Sequence, residues 1–257
     1  MIVDIHVHPP AATLPREERL ETFERMLDAG RRAGIDRQVL LGHRQPGSNE
    51  WARELVERYP DQVIAFVWGR CTDPQSPATL ARYVREYGFR GVKLYSEVNW
   101  ELRGLLACYP IFLQAAELGV PVLLHSTHEE EGLTAEVQDA LAGGHFPVRT
   151  MAELGERYPD TTFIFAHAGH MWVKAYHAAR PYPNLFFDVS GFDPERGAVE
   201  KGVEILGAER ILFGSDAPGR GYAAQLAKVQ CADISEWDRD LILGGNAVRL
   251  LNLGGQP

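Results

Sequence analysis

An α/β barrel of eight parallel strands, a (β/α)8 TIM barrel, is the fold this sequence predicts, and three observations predict it. Short apolar runs alternate with amphipathic helical stretches along the whole chain. The runs lack the polar alternation of half-exposed strands, as expected of parallel strands covered on both faces. The length, 257 residues, is the usual span of one such barrel, so a single domain over residues 1–257 is expected.

The elements follow in order. Residues 2–7 are short and β-branched and form the first strand. Residues 16–33 place Leu20, Phe23, Met26 and Leu27 at helical spacing among charges. Residues 35–41 are the second strand, and 49–59 a helix with Trp51, Leu55 and Val56 on one side. A third strand at 62–68 precedes a helix at 77–87. The fourth strand, 91–95, precedes a helix at 110–118. Strands at 120–124, 162–166, 184–189 and 210–213 complete the eight. Helices at 148–158, 170–179 and 194–206 separate them, and one or two helices from Ser235 close the chain. The long excursions are residues 96–109 and 126–147. Both follow strand ends, where a barrel carries its substrate loops.

Bulk properties exclude several classes. The net charge is −9 and there is no basic run, which argues against nucleic acid or an anionic membrane surface as a partner. Cys71, Cys108 and Cys231 are widely spaced, odd in number and form no C-x-x-C pair. They are expected to be inert and unpaired, in a reducing compartment. The first residues lack a basic signal region, and no apolar run reaches spanning length, so a cytoplasmic protein is expected. There is no P-loop, dinucleotide fingerprint or G-x-S-x-G elbow.

The chemistry gathers at strand ends. His6 and His8 end the first strand, Lys93 lies in the fourth, His125 ends the fifth, His167 the sixth and Asp216 the eighth. In a parallel barrel these ends meet at one mouth. His6 and His8 are two apart on a strand and share a face. Two neighbouring imidazoles suit a borderline divalent ion such as Zn²⁺. Taken alone, the pair could equally be two hydrogen-bonded structural histidines, and Asp216 a helix cap. The joint placement of four histidines and an aspartate at strand ends, two paired on the first strand and the others each on a separate one, favours a metal site. Three neutral histidines and one aspartate would leave a divalent ion with net positive charge, so that a bound water loses a proton readily.

The pieces Asp4-Ile5-His6-Val7-His8, Gly91-Val92-Lys93-Leu94, Leu124-His125, Ala166-His167-Ala168-Gly169, Phe213-Gly214-Ser215-Asp216 and Gly245-Asn246-Ala247-Val248-Arg249-Leu250 occur in that order. In this the chain resembles the amidohydrolase superfamily. The likeness is to its amidohydrolase-related branch, which includes aminocarboxymuconate-semialdehyde decarboxylase and the pyrone-dicarboxylate lactonases. The resemblance implies a distorted barrel of the metal-dependent hydrolase type. It implies His6, His8, His125 and Asp216 as metal ligands, and His167 with Asp216 as the catalytic groups. Asn246-Ala247 corresponds to a structural turn. The chain departs from the family pattern at His170, where many relatives have glycine. Lys93 could bridge a second metal only if carboxylated. As a free cation it would instead bind a substrate carboxylate.

One divalent metal is therefore expected, Zn²⁺ first, with Mn²⁺, Fe²⁺ or Co²⁺ also fitting. Lys93, Arg70, Tyr95 and His170 are the substrate-binding candidates, with His43, Arg44 and His128 as lesser ones. A small-molecule substrate and a homodimer are the expected partners. The leading reaction is hydrolysis of an ester, lactone or amide of a small organic acid by metal-activated water. The alternative is non-oxidative decarboxylation of a small aromatic or unsaturated acid, a lyase reaction. A phosphoesterase would need a carboxylate where Lys93 stands. A non-catalytic metal-binding barrel is the remaining reading.

Overall fold

The computed structural model describes residues 1–42, 45–95, 102–126, 148–169, 172–191 and 197–254. Eight parallel strands lie in sequence order: β1 (Val3–Val7), β2 (Arg37–Leu41), β3 (Val63–Gly69), β4 (Val92–Leu94), β5 (Val122–Leu124), β6 (Phe163–Phe165), β7 (Leu185–Asp188) and β8 (Ile211–Leu212). The Ile5 N–H donates to the Phe213 carbonyl at 3.0 Å, the Asp216 N–H to His6 at 2.8 Å and the His8 N–H to Ala217 at 2.7 Å. These bonds join the last strand to the first and make the sheet a (β/α)8 barrel, as the sequence predicts.

Alternation along each strand sorts side chains into two cores. Val3, Ile5, Val39, Leu41, Ile64, Phe66, Leu123, Ile164, Phe186 and Leu212 fill the barrel, and Ala247 and Leu251 pack with them. Val63, Ala65, Val67, Phe163, Phe165, Leu185 and Phe187 face the helices. Lys93 lies between Val92 and Leu94 of the outer core, so it takes an inward position and is fully buried.

The helices are α1 (Arg16–Arg32), α2 (Ser48–Arg58), α3 (Ser76–Tyr87), α4 (Leu102–Leu118), α5 (Val148–Arg157), α6 (Trp172–Ala179), α7 (Ala198–Leu206), α8 (Tyr222–Gln230), α9 (Glu236–Asp240) and α10 (Asn246–Leu250). No helix among the described residues is long and apolar enough to cross a membrane. Asn246 is fully buried and its amide donates to the carbonyls of Ala208 and Ile211 at 2.7 and 2.8 Å. It ties the closing helix to the entry of β8.

Three expectations need correction. First, α4 begins at Leu102 and runs through Pro110, whereas the proline reads in the sequence as a helix start. A proline removes one intrahelical bond. Buried Cys108, Ile111, Phe112 and Ala115, at helical spacing, pack the segment as one helix all the same. The excursion placed at 96–109 is correspondingly shorter. Second, α8 was not anticipated, although Tyr222, Gln225, Leu226 and Val229 bury one face at helical spacing. Third, Cys71 and Cys108 form a disulfide, with Cα atoms 4.5 Å apart. The end of β3 and the first half of α4 are brought together by the barrel, a proximity that sequence spacing does not reveal. Cys231 alone is a free thiol. The pairing removes the cysteine argument for a reducing compartment.

Candidate metal centre at the barrel mouth

A bulge in β1 sets the centre up. Asp4 pairs with Gln38 and Val7 with Leu40, so three steps of β1 face two of β2. Ile5 is in the inner core but Val7 is in the outer one. The extra residue reverses the alternation and turns both His6 and His8 inward. Asp4 pins the bulge: its Oδ1 accepts from the N–H of His6 at 3.1 Å and of Ser215 at 2.9 Å. Burial raises the Asp4 carboxyl to about 7.

The Nε2 atoms of His6 and His8 lie 3.2 Å apart. Asp216 Oδ1 is 3.3 Å from His8 Nε2 and 3.6 Å from His6 Nε2. One ligand atom from each of these residues lies within 4.8 Å of the others. The opposite ring nitrogens fix the protons. His6 Nδ1 is 2.8 Å from the Asp188 carboxylate, which can only accept, so it carries the hydrogen. The Tyr95 hydroxyl donates to the Gly42 carbonyl at 3.0 Å and faces His8 Nδ1 at 3.3 Å, so its oxygen accepts from that nitrogen. Two imidazole lone pairs and a carboxylate oxygen therefore converge on one point. They repel one another unless a cation lies between them, and two nitrogens with one oxygen suit a borderline divalent ion. The centre fits the metal that the sequence implies.

Electrostatics agree with neutral histidines and an ionised aspartate. Burial pushes His6 down to about 3, although Asp188 opposes the shift. Burial alone would raise Asp216, but His8, His6 and His167 outweigh it and hold the carboxyl at about 2. His125 is driven well below the usual histidine range by burial and then by Lys93. Burial also lowers His167.

The structure brings the predicted residues together to different degrees. His6, His8 and Asp216 form the cluster. The His167 ring is 4.9 Å from that of His6, centroid to centroid. His125 stands 5.2 Å from His167, ring to ring, and does not join the close cluster of His6, His8 and Asp216. Its Nδ1 is buried without a hydrogen-bond partner among the described residues, as befits a nitrogen reserved for a ligand. The Lys93 ammonium lies 5.1 Å from the Tyr95 ring centre. Arg70 is exposed at the end of β3, its guanidinium 5.9 Å from the Trp68 ring centre. Tyr95, expected at the substrate, also orients His8. His170, His128, His43 and Arg44 lie outside the described residues.

Asp188 and Ser190 were missed by sequence reasoning. They lie in the run Leu185-Phe186-Phe187-Asp188-Val189-Ser190, where Asp188 is fully buried. An acidic residue inside an apolar strand was the available signal, because a buried charge needs partners. Its carboxylate is held well below the usual range: burial opposes ionisation, but His6, His167 and Ser190 outweigh it.

The chain is 24% identical over 245 residues to 2-amino-3-carboxymuconate-6-semialdehyde decarboxylase of Dictyostelium discoideum, covering 80% of this chain and 65% of that enzyme. It thus spans just under two thirds of that relative's length. It is 25% identical to gamma-resorcylate decarboxylase of Polaromonas sp. (strain JS666 / ATCC BAA-500), over 92% of this chain and 85% of the relative. A dihydroxybenzoic acid decarboxylase structure from Polaromonas sp. JS666, with bound manganese and 2-nitroresorcinol, matches with a TM-score of 0.76. That match has 20% identity and covers 99% of this chain and 98% of the other, a likeness of fold. The expected hydrolysis finds no support among these relatives, whose names match the alternative reaction. The amidohydrolase family model matches residues 3–253, taking in the bulged β1, every predicted ligand and the closing helix, and the chain belongs to that family.

Proposed function

We propose that the protein is a divalent-metal-dependent enzyme that decarboxylates a small aromatic or unsaturated carboxylic acid. The observation that carries the proposal is the placement of the His167 imidazole beside the His6–His8–Asp216 cluster, 4.9 Å from the His6 ring. Both curated relatives being decarboxylases supports it over hydrolysis. A divalent ion held by His6, His8 and Asp216, with His125 as the further donor, would supply Lewis acidity toward substrate oxygens. Zinc fits the nitrogen donors, and manganese, which a structural relative binds, is the second candidate. In decarboxylation the bond between the carboxyl carbon and its neighbour breaks, and its electron pair stays on that neighbour. The vacated carbon must then take a proton. His167, beside the cluster, is the candidate to relay that proton from solvent to the carbon. The cations of Lys93 and Arg70 are the candidates for binding acidic groups of the substrate.

The test is a product balance on metal-loaded protein, using a panel of hydroxybenzoates, unsaturated carboxylic acids, esters and lactones. One CO₂ released per acid consumed is expected, with deuterium from heavy water at the vacated carbon. Ester or lactone cleavage, with ¹⁸O from labelled water in the product and no CO₂ from any acid, would overturn the reading.

A further inference from the structure

The proton positions at the mouth trace to one pair of residues at the end of β7. Asp188 Oδ2 accepts from His6 Nδ1 at 2.8 Å. Asp188 Oδ1 accepts from the N–H of His167 at 3.0 Å, the N–H of Ser190 at 3.0 Å and the Ser190 hydroxyl at 2.5 Å. Ser190 Oγ also lies 3.0 Å from His6 Nδ1 and 3.0 Å from His167 Nδ1. A serine hydroxyl has one hydrogen, and the carboxylate takes it. Each Nδ1 that faces the hydroxyl oxygen must therefore donate. The Ser190 carbonyl, 3.3 Å from His167 Nδ1, can only accept and requires the same arrangement. A neutral imidazole with its hydrogen on Nδ1 carries its lone pair on Nε2.

We propose that Asp188 and Ser190 act together as a tautomer lock on His6 and His167, holding the hydrogen of both rings on Nδ1. His6 then offers Nε2 to the metal, and His167 uses Nε2 for proton exchange. The two are positioning residues, acting through the histidines. The surrounding backbone is shaped for the pair. A Cβ on Gly191, at φ 84°, would lie 2.7 Å from His167 Nδ1, and one on Gly214 would lie 2.8 Å from the His6 Cβ and 3.0 Å from the Ser190 Cβ. His167 itself holds a left-handed φ of 60°, unusual for a residue with a Cβ. The hydrogen bond from its N–H to Asp188 helps to hold it there.

Asp188, His6 and His167 are also close enough to hold a metal by themselves. The hydrogen count argues against that use: the nitrogens facing Asp188 and Ser190 carry hydrogens, and Asp188 Oδ1 already accepts three bonds.

The role of His6 rests on the metal reading, whereas the tautomers do not depend on the reaction. The experiment is a two-bond ¹H–¹⁵N correlation spectrum of metal-free protein labelled at histidine, with metal affinity measured separately. Wild type is expected to show both His6 and His167 protonated at Nδ1. In Asp188→Asn the amide oxygen should stay with the three donors, turning the NH₂ toward His6. His6 should then shift its hydrogen to Nε2, and affinity for Zn²⁺ or Mn²⁺ should fall about 10- to 100-fold. Ser190→Ala loses the hydroxyl oxygen at 3.0 Å and keeps only the longer backbone carbonyl contact at 3.3 Å, so His6 should keep its tautomer and metal affinity while His167 gains a partial Nε2-protonated population. Unchanged tautomers in both variants would overturn the lock. If Asp188→Asn does not fold, the His167 signal in Ser190→Ala decides the matter alone. Loss of a second bound metal ion in Asp188→Asn would overturn it in favour of a metal-binding role. A failed decarboxylation assay would leave these readouts intact.

Discussion

Asp216→Asn is expected to lower bound metal well below one ion per chain and to reduce kcat/KM more than about 100-fold. Losing a group that merely orients a ligand costs about 10- to 100-fold in metal affinity or activity, and losing a ligand costs more. Asp216 is also the one anionic member of the close cluster with His6 and His8. Without it, two imidazole lone pairs converge with no negative charge to help hold a dication. Asparagine is the right replacement because Asp216 sits at φ 64°, a left-handed conformation that asparagine adopts at lower cost than most residues with a Cβ. The variant should therefore fold, with a melting temperature close to that of the metal-free wild type. Elemental analysis, thermal melting and steady-state kinetics check the three statements. Full metal content with near-wild-type turnover would remove Asp216 from the centre.

His167→Asn should behave differently. Metal content is expected to stay at the wild-type level, while kcat falls by about 10²- to 10⁴-fold, the usual contribution of a positioned acid or base. Asparagine again tolerates the left-handed backbone and can keep the backbone N–H bond to Asp188. It has no group that exchanges protons near neutral pH. KM should change little if His167 acts on the reacting carbon and does not chiefly bind the substrate. A parallel loss of metal would make His167 a ligand, and an unchanged kcat would place proton exchange elsewhere.

The sequence made the barrel legible because each parallel strand is an apolar run and each helix has one apolar stripe. It also made His6, His8, His125, His167 and Asp216 legible, because polar residues just past apolar strands meet at one mouth. The direction of the histidine pair was not legible. It depends on the bulge opposite Gln38 and Leu40, and a bulge is a property of two strands. Asp188 was not legible because the apolar pattern carries the strand on to Val189, whereas β7 ends at Asp188, and Ser190 because its role appears only with its neighbours in place. Tyr95 looked like a substrate contact, and its bonds to Gly42 and His8 required the folded loops. The helix at residues 222–230 went unread, although its buried positions recur at three- and four-residue steps.

The Cys71–Cys108 bond has a topological consequence. It closes a covalent ring on a segment of sequence separation 37 that contains α3, β4 and Lys93. A single peptide-bond cut anywhere inside that ring leaves the chain in one covalent piece. Limited proteolysis there would give an intact band on a non-reducing gel and two fragments once a thiol reagent is added. The lysine of the barrel interior thus belongs to a macrocycle that a single nick cannot separate from the rest of the chain.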